Sequence, residues 1–199
     1  MKLICRCPID VLETTNAVDD FVSGWSGAQA TAYKLEPHLG GRLAAPADGA
    51  DAVPGGLLML WVVSQRPAWE LVSEARSAFG CTEAFTVTEQ VVVDHHTPTT
   101  VARLGFIRRR EGLTHQQFAD HWMGVHAPLV MANQPLFSRY VANVADPSSG
   151  WDGVVEQHFI DAATWAEHDR RLVAERAEVR NDITRFIDSM TQFAAVALG

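Results

Sequence analysis

Apolar positions along the chain switch between two periods, and the switching occurs twice. In the second half, Val101 to Ile107 is a short apolar run that predicts a strand. After the turn at Arg110 to Gly112, Thr114 and Gln117 stand three apart as a capping box. Leu113 and Phe118 occupy the positions of a hydrophobic staple, so a helix begins here. Phe118 and Trp122 lie one turn apart on a core-facing stripe. Gly124 reads as the C-cap of that helix, and Pro128 argues against regular continuation with Ala127 extended. Ser138 to Asn143 and Val154 to Ile160 predict strands, Thr164 to about Arg180 a long charged amphipathic helix, and Gln192 to Leu198 a last strand.

The first half follows the same order. Leu3 to Cys7 reads as a strand, and Val18, Phe21, Val22 and Trp25 fall at i, i+3, i+4 and i+7 of a helix. Thr31 to Leu35 is a strand, residues 40–56 are a long loop rich in Gly, Ala and Pro, and Leu57 to Val63 is a strongly apolar strand. Pro67 opens a helix that stops near Gly80, Glu83 to Val93 supplies a strand, and His95 to Thr100 links the halves. Each half therefore reads βαββαβ, the split βαβ or ferredoxin-like pattern.

The halves also match residue by residue. Phe21 and Trp25 recur as Phe118 and Trp122, 97 positions later; Gly56 recurs as Gly153 at the same shift, and Trp69 and Trp165 lie near it. The spacing predicts a duplicated unit, with domains at 1–96 and 97–199. Each unit covers only one face of its sheet with helices, and the other face must also be buried. The expected fold is α+β: two fused ferredoxin-like units packed sheet to sheet as an intramolecular dimeric α+β barrel around a cavity.

Composition narrows the function. The chain has 199 residues, 47% hydrophobic and 20% charged, an ordinary globular balance. A formal net charge of -8 argues against nucleic acid as a partner. No apolar run reaches the roughly 18 residues that span a bilayer, so no membrane partner is expected. The start, MKLICRCPID, meets charge and proline too early for a signal peptide. Cys5, Cys7 and Cys81 read as buried packing thiols of a reducing compartment, which predicts a cytoplasmic protein. No dinucleotide fingerprint, P-loop or Gly-x-Ser-x-Gly string is present, and no cofactor or metal is expected.

The most specific string is Trp122 followed by His126, Ala127, Pro128 and Leu129, with Phe118 before it and Arg139, Tyr140, Asn143, Asp152 and Glu156 after it. Over roughly residues 100–199 this resembles the EthD family of dimeric α+β barrel proteins. The first half departs from the pattern: after Trp25 the His-Ala-Pro-Leu segment is missing. The resemblance implies one competent site per chain, with the first unit as wall and lid. Families sharing this barrel include cofactor-free monooxygenases, polyketide cyclases, lactone isomerases, decarboxylases and dehydratases, so the fold alone does not choose a reaction.

His126 is the first candidate for catalysis, because imidazole titrates near neutrality; its alternative is a structural cap on a helix end. Period two places Glu156 and His158 on one strand face, where Glu156 could orient His126 or act as base. The alternative is an exposed face. Tyr140 could donate to a developing enolate oxygen or be a core tyrosine. Arg103 could anchor an anionic group or pair with Glu156; Asn143 is a weaker donor. His121 sits at the edge of the core stripe beside Trp122, as a pocket wall or a half-buried side chain. Five positions on an α-helix put His121 and His126 about 140° apart, unlike a helical zinc pair.

The expected function is a cofactor-independent enzyme, of lyase or isomerase type, doing acid–base chemistry on a hydrophobic carbonyl compound. His126 and Glu156 would be the acid–base pair and Tyr140 the oxyanion donor; His121, Trp122, Arg103, Asn143 and His158 would bind substrate. Cyclisation, dehydration, isomerisation or decarboxylation would result. The alternatives are a cofactor-free monooxygenase, a non-catalytic binding protein for an apolar metabolite, and a metal site built from His126, Glu156 and His158. The partner is a small hydrophobic molecule, and the pseudo-dimeric chain leaves room for a homo-oligomer.

Overall fold

The computed structural model describes residues 1–14, 16–25, 27–37, 55–63, 66–133 and 135–198. They form an α+β fold with antiparallel sheets, divided into two compact units. In the first unit, β1 (Lys2–Cys7) lies between β3 (Gly56–Trp61) and the start of β4 (Glu83–Asp94), with Cys5 opposite Leu58 and Ala84. β2 (Gln29–Pro37) pairs with the other edge of β3, Thr31 opposite Met59. The order is β4-β1-β3-β2. Helices α1 (Ile9–Glu13), α2 (Ala17–Ser23) and α3 (Ala68–Phe79) belong to this unit. Alternate residues of β1 and β3, among them Leu3, Cys5, Leu58 and Leu60, are buried with Leu71, Ala75 and Phe79 of α3.

The second unit repeats that order with β8-β5-β7-β6. β7 (Gly153–Phe159) runs between β5 (Val101–Arg109) and β6 (Arg139–Ala145), and β8 (Ile187–Ala197) lies outside β5. Gln157 stands opposite both Arg103 and Tyr140; Glu156 stands opposite Leu104 and Val141. Strand alternation therefore puts Tyr140, Arg103 and Gln157 on one face and Glu156, Asn143 and His158 on the other. On the first face, α4 (His115–His121), α5 (Ala127–Ala132), α6 (Ala162–Glu175) and α7 (Ala177–Phe186) close a core that includes Phe118, Trp122, Tyr140, Phe159 and Phe186.

The units do not divide at residue 96. β4 passes into the second unit at Glu89, and the end of β8 from Ala195 belongs to the first. Just past these strands, Leu198 N–H donates to Ala32 O in the first unit and His95 N–H to Ser138 O in the second.

Three local features differ from expectation. The stretch 164–180 is two helices, broken at Arg176 (φ -121, ψ 50). β8 begins at Ile187, five residues before the apolar run that announced it. The third concerns the helix that starts at Thr114. Its capping box is present, with Thr114 Oγ1 accepting from Gln117 N–H at 3.1 Å and Gln117 Oε1 from Thr114 N–H at 2.8 Å. It does not end at Gly124. Trp122–His126 forms one π-helical turn, Ala127 N–H bonding to Trp122 O five residues back, and Ala127 stays helical (φ -62, ψ -45). The widened turn relieves the clash a proline ring makes with the carbonyl four residues before it. Pro128 then sits in the first turn of α5, directly after the widened turn.

Trp122 packs against the opening of β7. A Cβ at Gly153 would overlap the Trp122 indole and stand 3.0 Å from Asn143 O. Gly153→Ala should therefore destabilise the protein by about 1–3 kcal/mol through overpacking, read as a shift in the urea midpoint. A midpoint unchanged in that variant would show that the indole is not held against β7.

Candidate active site

A narrow cavity of about 50 Å³ lies within the second unit, between its sheet and α6 and α7. Apolar side chains, including Ile107, Val130, Val155, Leu172, Ile183 and Met190, make most of its wall. The polar groups on it are Trp122, His126 and Tyr140, with Arg103, Gln157, His168, Arg176 and Gln192.

His126 reaches this wall because the π-helical turn shifts the register of the helix. With bonds running five residues back, residues five apart come onto one side. His121 and His126, on opposite flanks of an ideal α-helix, both meet the buried Asp182 of α7. His126 Nδ1 lies 2.9 Å from Asp182 Oδ2, and His121 Nε2 lies 3.0 Å from Oδ1 and 3.2 Å from Oδ2. An ionised carboxylate only accepts, so both rings donate to it when neutral. The His126 proton then sits on Nδ1, and Nε2 is left with its lone pair and no protein partner among the described residues. The Phe186 ring packs against both imidazoles, at 5.0 and 4.8 Å between centroids. Burial pulls the His126 pKa below its ordinary value, against the opposing pull of Asp182. The downward shift favours the neutral ring.

Tyr140 lies fully buried on β6. Its hydroxyl accepts from Trp122 Nε1–H at 2.8 Å, and no acceptor for its own proton is present among the described residues. Burial pushes its pKa up to about 12, so the phenol stays protonated and able to donate. Accepting a bond polarises the O–H and strengthens it as a donor. Arg103, on β5, is held by its neighbours: Nε donates to Gln157 Oε1 at 2.8 Å, Nη2 donates to the same oxygen, and Nη1 donates to Asp169 Oδ1 at 2.6 Å. Its charge acts on the Tyr140 phenol in the direction that favours negative charge there.

The sheet separates the other candidates from this group. Glu156 is fully buried on the opposite face. Asn143 Nδ2–H donates to Glu156 Oε1 at 2.7 Å, and His158 Nε2 lies 3.2 Å from Oε2. The expected pairing of His126 with Glu156 is therefore not formed, nor is a metal set of His126, Glu156 and His158. Period two, correctly applied to β7, points Glu156 away from the face that Val155 and Gln157 share with His126. Arg103 bonds Gln157 and Asp169, not Glu156. Trp122 lines the cavity, while His121 meets Asp182 and Phe186 and is not on the cavity wall. Among the described residues no three His, Cys, Asp or Glu side chains converge to hold a metal ion.

Asp182 and His168 were not singled out from the sequence, although a signal exists for each. Val179, Asp182, Ile183 and Phe186 stand at i, i+3, i+4 and i+7, so the carboxylate falls on an apolar stripe. Trp165, His168 and Leu172 do the same for the second histidine.

Comparisons with known proteins bear on the same region. The family model described as EthD domain matches residues 110–193. No curated protein matches the chain. Among solved structures, an anthrone oxidase-like protein is 11% identical with a TM-score of 0.62, over 100% of this chain and 91% of the other. A presumed monooxygenase of Lactobacillus acidophilus is 9% identical with a TM-score of 0.53, over 98% and 92%. A heme-binding protein of Thermus thermophilus is 13% identical with a TM-score of 0.53, over 100% of this chain and 91% of that one. At such identities the likeness is one of fold. No helix of the described residues is long and apolar enough to cross a membrane.

His168 gives a stability prediction. Burial, then the charges of Arg103 and Arg176, lower its pKa to about 3. A histidine whose folded pKa lies below the unfolded value of about 6.5 resists protonation in the fold. Its stabilising contribution is complete above pH 6.5 and lost as pH falls towards 3. By pH 4 the loss should be on the order of 3 kcal/mol. His168→Gln should flatten the fall in the urea midpoint between pH 7 and 4; equal slopes for both proteins would refute the assignment.

Proposed function

We propose, from the match of residues 110–193 to the EthD domain model, that the second unit is a small enzyme that deprotonates a carbon beside a carbonyl or phenol. We read the carbanion as the species that reacts with dioxygen, without a cofactor. The single observation that carries this reading is the Asp182-oriented His126, whose ring lines an apolar cavity together with a Tyr140 hydroxyl that has no acceptor among the described residues. The names of two structural neighbours, one a presumed monooxygenase and one anthrone oxidase-like, support oxygenation over purely acid–base chemistry.

In this reading His126 Nε2 takes a proton from an activated CH₂ group. Asp182 stabilises the imidazolium through Nδ1–H, and Tyr140 O–H, helped by the charge of Arg103, stabilises the enolate oxygen. The carbanion adds dioxygen to give a peroxide, which takes the proton back from His126. His126 then removes the remaining C–H proton as the O–O bond breaks. A carbonyl forms, and the departing hydroxide takes that proton and leaves as water. The sum, CH₂ + O₂ → C=O + H₂O, balances with no external reductant: carbon loses four electrons and dioxygen gains them. We further read the shared strand order, with Gly56 and Gly153 each opening the third strand of its unit, as the mark of fused ferredoxin-like repeats.

The same groups would also serve isomerisation, cyclisation, dehydration or decarboxylation, and an oxygen electrode separates the two readings. With anthrone as probe, the expected result is uptake of one dioxygen per ketone formed. Turnover without uptake would favour the acid–base reading. His126→Ala and Asp182→Asn should each lower kcat/KM by about 10²–10⁴, the asparagine by donating to Nδ1 and moving the His126 proton onto Nε2. Unchanged turnover in His126→Ala would sink both readings.

The pH profile is a separate prediction. His126 must be neutral to act, and burial lowers its pKa. kcat/KM should therefore hold from pH 8 down past 6.5 and fall only below that, measured under pseudo-first-order conditions.

A further inference from the structure

The first unit holds a group that the proposed reaction does not use. Cys5 and Cys7 share one face of β1, and Gly80, in the left-handed conformation (φ 59) at the end of α3, turns Cys81 towards them. Cys7 Sγ lies 2.6 Å from Cys81 Sγ, against about 2.05 Å for a formed disulfide bond. Cys81 Sγ also lies 3.5 Å from Ala75 O. All three thiols are free and buried, but not equally: Cys81 is 9% exposed, Cys7 4% and Cys5 0%.

We infer that Cys7 and Cys81 are a peroxide-sensitive thiol pair that closes to a disulfide, with Cys81 reacting first. Cys81 is the most accessible of the three, and its surroundings favour its thiolate. Hydrogen bonds from Cys5 and Cys7 pull its pKa down to about 4, aided by the Arg76 charge, while the same bonds and burial push Cys5 and Cys7 up. The thiolate attacks one oxygen of hydrogen peroxide and the O–O bond breaks. Cys81 becomes a sulfenic acid, and the departing hydroxide takes a proton to become water. Cys7 sulfur then attacks the Cys81 sulfur, the S–O bond breaks, and a second water leaves with the Cys7 proton. The sum is two thiols and one peroxide giving one disulfide and two waters. Cys5 stays reduced. The bond ties the end of β1 to the start of β4 across 74 positions of sequence. A loop of that length predicts a rise in thermal midpoint of about 10–20 °C.

The test needs no substrate and stands apart from the reading of the second unit. The reduced full-length protein is treated with hydrogen peroxide, blocked with an alkylating agent, and examined by intact mass and peptide mapping. The expected result is a loss of two hydrogens, one alkylated cysteine per chain, and a cross-linked peptide pair carrying Cys7 and Cys81, reversed by dithiothreitol. Cys5→Ser should still close the bond; Cys81→Ser should not. Three alkylated cysteines after treatment, oxygen added at Cys81 with no cross-link, or a link from Cys5 would each overturn the assignment.

Discussion

The buried carboxylate of Asp182 is the constraint on which the site depends. An acceptor-only anion inside a protein must be met by donors, or its burial is prohibitively unfavourable. Here both nearest donors are imidazoles from one helix, and a single turn wound too wide delivers them together. Once both rings donate, their tautomers are settled, and so is the identity of the nitrogen that His126 offers to the cavity. The unusual backbone, the shared anion and the availability of Nε2 are one arrangement viewed at three levels.

A second line of contacts fixes the opposite wall. Gly153 lacks a side chain where the Trp122 indole passes, and the indole N–H reaches across to the Tyr140 hydroxyl. The π-helical turn begins at Trp122 and ends at His126. The residue that fills the gap at β7 and the residue that faces the cavity are thus ends of the same five-residue segment. Packing of a large aromatic against the sheet sets the position of His126, and the indole N–H leaves the tyrosine proton to point elsewhere.

Much of the fold was readable in the chain because its signals are local and agree with one another. The capping box at Thr114, the alternation along β7 and the apolar runs of β1 and β3 each hold within a few residues and need no distant partner. The π-helical turn was not readable, since Gly124 and Pro128 both signal termination, and only packing against Asp182 and β7 carries the helix onward. The acid partner of His126 differs from expectation for a related reason. Alternation says that Glu156 and Gln157 face opposite ways, but not which face the helices will cover. Asp182 lies beyond the helix expected from Thr164 to about Arg180, so the apolar stripe it shares with Val179, Ile183 and Phe186 was not joined to that helix. The break at Arg176 has no strong sequence mark at all, which is why one long helix was the natural reading of two.

The widened turn has a bearing on descent. Relative to an α-helix it carries one surplus residue, and a gap of a single codon between Trp122 and His126 would restore ordinary winding. The aromatic stripe before it and the strand after it could survive such a loss, since neither depends on the surplus. Homologues one residue shorter at this point would then share the architecture while their equivalent imidazole faced another direction, so alignment length here, more than overall likeness, sorts those that inherit the chemistry from those that inherit only the scaffold.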